Sequence, residues 1–93
     1  MNVSLESKIV PHPQVVAQRL PDEAVLLLPA KGEVKVLNEV GACIWSALDG
    51  KRTVADVVAL VCSEYDVDHE QAAQDTLAFV GELLHRQMVL LVA

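Results

Sequence analysis

At Leu37-Asn38 the hydrophobic pattern of this chain changes its period, and that change constrains the fold more than any other feature. Before it, Glu33-Val34-Lys35-Val36 alternates strictly, the mark of a strand with one dry and one wet face. After it, Val40, Ile44, Ala47 and Leu48 recur at helical spacing, with Asn38 as N-cap and Gly50 able to take the left-handed conformation that closes a helix. A strand thus hands over to a short helix with no linker between them.

Two further runs upstream read as strands. Val15 to Leu20 and Ala24 to Leu28 are separated from each other by Pro21-Asp22-Glu23, and from the Glu33–Leu37 strand by Pro29-Ala30-Lys31-Gly32. The middle run is apolar throughout, as expected of a strand central in a small sheet or covered on both faces. Residues 1–13 end in Pro11-His12-Pro13 and read as an N-terminal tail, leaving 14–93 as the domain.

Downstream, Thr53 and Asp56 form a capping box, and Val54, Val57, Val58, Val61 and Tyr65 line one face of a second helix. Asp68 with Gln71 repeats the start signal for a third helix running to about Gln87. On it Ala73, Leu77, Val80 and Leu84 make a core stripe. Ala72, Thr76, Phe79 and Leu83 widen the apolar arc on one side, and Gln71, Asp75, Ala78, Glu82 and Arg86 form the wet face. Met88 to Ala93 is a short extended apolar segment. The order is α+β: a three-stranded antiparallel sheet, then three helices, in a winged-helix-like arrangement.

Chemistry is scarce. His12, His69 and His85 lack metal-ligand spacing, and Cys43 and Cys62 form no Cys-x-x-Cys pair and read as buried free thiols. No serine sits in a nucleophile elbow and no glycine-rich loop opens a helix to cradle phosphate. Glu64, Asp66, Asp68 and Glu70 lack the glycine and distal glutamate of a calcium loop. No catalytic residue, metal or cofactor is therefore expected. Thirteen acidic against seven basic residues give a formal charge of −6, which disfavours nucleic acid. A winged-helix DNA-binding or transcription-associated domain is the alternative reading, but a basic recognition helix is missing, since the third helix carries Asp75 and Glu82 against Arg86. No apolar run reaches the roughly 18 residues of a membrane span and no signal peptide is apparent, so the expected location is the cytoplasm.

Leu37-Asn38-Glu39 after a strand, Ile44-Trp45, Leu48-Asp49-Gly50, Thr53-Val54 and the long leucine-ended third helix together resemble the PqqD-like family. The resemblance implies a non-catalytic element that binds the leader of a ribosomally made precursor peptide and presents it to a radical SAM or other maturation enzyme. Pyrroloquinoline quinone biosynthesis is the namesake pathway, and relatives serve lasso peptides. It further implies that the leader adds as a strand beside Val34, Lys35, Val36 and Leu37 and packs on Ala72, Asp75, Thr76, Phe79 and Leu83, with Lys35 offering a contact to an acidic leader. Monomer and domain-swapped dimer both remain open.

Overall fold

The computed structural model describes residues 3–92. Five strands and three helices follow in the order β1 (Ile9–Pro11), β2 (Val16–Leu20), β3 (Glu23–Leu28), β4 (Glu33–Leu37), α1 (Glu39–Ala47), α2 (Val54–Glu64), α3 (His69–His85) and β5 (Val89–Leu91). A 3-10 turn at Pro29–Lys31, closed by Gly32 at φ 65°, joins β3 to β4. The three N-caps are those expected from the sequence. Asn38 Oδ1 accepts from the Gly41 amide at 2.8 Å, Thr53 and Asp56 bond reciprocally, and the Asp68 carboxylate accepts from Gln71.

β2, β3 and β4 form an antiparallel sheet in that order, so β3 is central and both β2 and β4 are edges. The register aligns Arg19, Ala24 and Leu37 in one row and Ala17, Leu26 and Lys35 in the next. These rows face the helices. Ala24, Leu26, Leu28 and Leu37 are buried there with Ile44, Val54, Val57, Val58, Val80 and Leu83. Each leucine, isoleucine and valine among them contributes about 1.5–3 kcal/mol by leaving water. The Arg19 guanidinium ties the sheet to α1 by donating to the Ala42 carbonyl at 3.0 Å and to Ser46 Oγ.

Three expectations are corrected, and one alternative is decided. Residues 9–11, read as tail, form β1 and pair antiparallel with β5, while Ile9 is buried in the core. The proline there costs little, because a two-stranded ribbon has no inner ladder to interrupt. The apolar β3 owes its composition to its central place in the sheet rather than to cover on both faces, since the helices cover one face only. Val25 and Leu27 point away from the helices, and Val16, Val34 and Val36 beside them are 54%, 58% and 61% exposed. Val40 lies outside the core, which α1 enters instead through Gly41, Ala42, Ile44 and Ala47. Finally, α3 turns its buried line through Ala72, Thr76, Val80 and Leu83, leaving Ala73, Leu77 and Leu84 half-buried. The helix packs chiefly against α2, and against β5, through the row that widens the apolar arc.

α3 ends two residues before Gln87. The Met88 amide bonds back to Leu83 O and the Gln87 amide to Leu84 O, the paired bonds of a Schellman closure. Its left-handed position is filled by Gln87 at φ 62°, where a Cβ is strained. Gln87→Gly should therefore raise stability by about 0.5–1 kcal/mol, after allowance for the freer unfolded chain. Urea unfolding checks this, and an unchanged or lowered midpoint would contradict it.

Candidate functional site

The burial of Leu37 sets what β4 presents. Successive strand residues alternate faces, so with Leu37 inward, Lys35 and Glu33 also face the helices and Val34 and Val36 face out. Two charged residues thus stand between β4 and α3, where they are met by charges of opposite sign. Lys35 Nζ lies 3.0 Å from Glu82 Oε2, and Arg86 Nη1 lies 3.0 Å from Glu33 Oε2 and its Nε 3.7 Å from Glu82 Oε1. The four charges form one alternating chain that spans from the sheet edge to the end of α3. The Lys35 ammonium, first by hydrogen bonding and then by its charge, holds the Glu82 carboxyl below its ordinary 4.5. Lys35 is thus already neutralised within the protein, which alters its expected role as a free contact for an acidic leader.

Toward the other end of β4 the gap opens into a cleft of about 470 Å³. One wall is the end of β4 (Lys35, Val36, Leu37) with Asn38. The other is the first half of α3 (Ala72, Asp75, Thr76, Phe79). Val40, Gly41 and Ile44 of α1, with Val61, Tyr65 and Val67, complete it. Gly41 matters here because a Cβ at that position would stand 3.6 Å from Phe79 Cε1 and 3.4 Å from Leu37 Cβ. The Phe79 ring edge therefore lies against α1 at a distance that a Cβ would meet in ordinary contact. Tyr65 sits at the turn after α2, its hydroxyl donating to the Glu39 carbonyl at a long 3.5 Å.

Of the residues expected at a site, Lys35, Val36, Leu37, Ala72, Asp75, Thr76 and Phe79 line this one cleft. Val34 and Leu83 do not. Val34 faces the open side of the sheet, and Leu83 is fully buried among core side chains. Sequence reasoning missed Val40, Gly41, Tyr65 and Val67. Gly41 carried a signal, since glycine inside a helix costs about 1 kcal/mol and often marks a close approach. Val67, in the turn between helices, gave no periodic signal.

The cleft has little to do chemistry with. Burial first, and the Glu64 carboxylate second, push the Cys43 thiol up, the reverse of an activated nucleophile. Cys43 and Cys62 are half-buried rather than buried. Among the described residues no three His, Cys, Asp or Glu side chains converge as a metal site, and no helix is long and apolar enough to cross a membrane. What the cleft offers is an apolar groove beside a sheet edge with unpaired backbone groups, the arrangement that accepts an added strand.

Residues 23–89 match the sequence profile of the family described as Coenzyme PQQ synthesis protein D (PqqD). A "PqqA binding protein" of Rhizobium meliloti (strain 1021) is 31% identical over 67 residues, which are 72% of this chain and 66%, just under two thirds, of that protein. Two solved structures are similar throughout. TbiB1 in complex with the TbiA(beta) leader peptide is 31% identical with a TM-score of 0.77, covering 86% of this chain and 93% of that one. A lasso peptide synthetase B1 complexed with its leader peptide is 30% identical with a TM-score of 0.79, covering 89% and 98%.

The ion-pair chain makes a pH prediction. Glu82 has a folded pKa below its unfolded value, so its contribution is fully present above about pH 4.5 and is lost as pH falls through the depressed folded value. Its side chain is 46% exposed, so screening limits the effect to under about 1 kcal/mol. Glu82→Gln should lower stability at pH 7 and do so by less at pH 3, where protonation removes part of the contribution. Denaturant unfolding at both pH values checks this, and a gap that does not change with pH would contradict it.

Proposed function

This chain belongs to the coenzyme PQQ synthesis protein D (PqqD) family, and we propose that it is a non-catalytic peptide-binding module that holds the leader of a ribosomally made precursor peptide for a maturation enzyme. The observation that carries this reading is the open edge of β4 lying directly beside an apolar cleft. An extended peptide gains backbone hydrogen bonds from the edge and side-chain selectivity from the cleft. The leader complexes of the two similar structures support the same class of ligand. No residue of the other open edge, β2, lines that cleft.

In this reading Val34, Lys35, Val36 and Leu37 supply the backbone edge, and Ala72, Asp75, Thr76 and Phe79 the facing wall. Leu83 has no part in it, because it is sealed in the core. The maturation enzyme is a radical SAM protein or another modifying enzyme in the cytoplasm. Pyrroloquinoline quinone biosynthesis is the pathway suggested by the Rhizobium relative, whose name records binding of PqqA. A module of this kind lowers the entropic cost of bringing precursor and enzyme together without itself touching the reacting bond.

Phe79 gives the sharpest test. It is half-buried with its ring edge against Gly41, so truncation exposes the cleft floor without emptying the core. A displayed library of random 15-residue peptides, selected on the wild-type protein, should yield an extended apolar motif. Phe79→Ala should bind the selected peptide at least about tenfold more weakly, about 1.4 kcal/mol, and lose less than that in stability. Equal affinity in the variant would contradict this placement, and failure of the wild type to select any peptide would contradict the function.

A further inference from the structure

Thr76 stands at the wall of the cleft with its hydroxyl unused. The residue is 1% exposed, and its Oγ1 has no hydrogen-bond partner among the described residues. It does not even bond the carbonyl one turn earlier, the usual recourse of a helical threonine. An unpaired buried hydroxyl is destabilising, because it gives up water without gaining a partner. Valine has the same shape, would fill the same space and would carry no such penalty, so stability alone gives no reason for threonine here.

The surroundings limit what could pair with it. Leu37, Ile44, Val61, Val67, Ala72 and Phe79 make the cleft apolar around Thr76. Its two charged lining residues are committed elsewhere. Lys35 is held by Glu82, and Asp75 is exposed and accepts from Gln71 Nε2 at 2.9 Å. A charged group brought to the depth of Thr76 would have no counter-charge and would lose its hydration. A wholly aliphatic group would leave the hydroxyl unpaired as before. A hydroxyl or carboxamide satisfies both requirements, because threonine can donate one hydrogen bond and accept others.

We propose that Thr76 makes the cleft selective for a leader side chain with an apolar body and an uncharged hydrogen-bonding tip, inserted from a strand added along β4. The inference rests on the peptide-binding reading above and adds the chemistry of one position of the ligand. The hydroxyl lies just beneath the cleft surface, so the incoming side chain parts the wall residues to reach it. The unpaired group then acts as a specificity device. It destabilises the free protein slightly and rewards the ligand that completes it.

The experiment compares library selection on the wild type, Thr76→Val and Thr76→Ser, with thermal unfolding of each free protein. Wild type and Thr76→Ser should enrich a hydroxyl- or carboxamide-bearing residue at one motif position. Thr76→Val should melt at a higher temperature, enrich an aliphatic residue at that position, and bind the wild-type motif about tenfold more weakly. The same motif and affinity with Thr76→Val would overturn the inference while leaving peptide binding intact. Recovery of no peptide by the wild type would overturn peptide binding itself, and this inference with it.

Discussion

The burial of Leu37 immediately before the Asn38 cap is the constraint from which the rest of the site follows. Leu37 has to enter the core because it is the last strand residue before α1 turns across the sheet, and its row in the register is shared with buried Ala24. Strand parity then admits no choice: Lys35 and Glu33 face inward and two valines face water. A strand with charges on its helix-facing side cannot pack tightly against α3, so the two elements are linked by ion pairs at one end and open into a cleft at the other. The groove results from a polar inner face on an edge strand.

That parity also explains where the sequence falls short. The alternation Glu33-Val34-Lys35-Val36 announces two unlike faces without saying which one meets the helices. The deciding residue, Leu37, lies at the strand end and belongs equally to the following turn. The assignment becomes visible only once the β3–β4 register is known, which is long-range information. In contrast, the three helix starts were legible because each is local: a capping side chain reaches an amide three residues on, and the sequence writes both partners side by side.

On α3 the arc of apolar residues was legible but its centre was not. By hydropathy the row Ala73, Leu77, Val80 and Leu84 is the more apolar, and Ala72, Thr76, Phe79 and Leu83 the less. Packing against α2 and β5 selects a line through Ala72, Thr76, Val80 and Leu83. The division between core and groove therefore runs along the helix rather than around it. Its first half, with Ala72, Thr76 and Phe79, lines the cleft, while Leu83, further on, is sealed. The pairing of β1 with β5 was equally hidden, because it joins segments at opposite ends of the chain with three residues each.

The sheet has two open edges, β2 and β4, and a leader strand added at β4 alone would lie beside the cleft. Amide hydrogen exchange with and without a saturating selected peptide measures this directly, residue by residue. New protection across Glu33–Leu37, with the Val16–Leu20 amides exchanging as before, is the predicted result. Protection gained at Val16–Leu20 with none at Glu33–Leu37 would contradict the account.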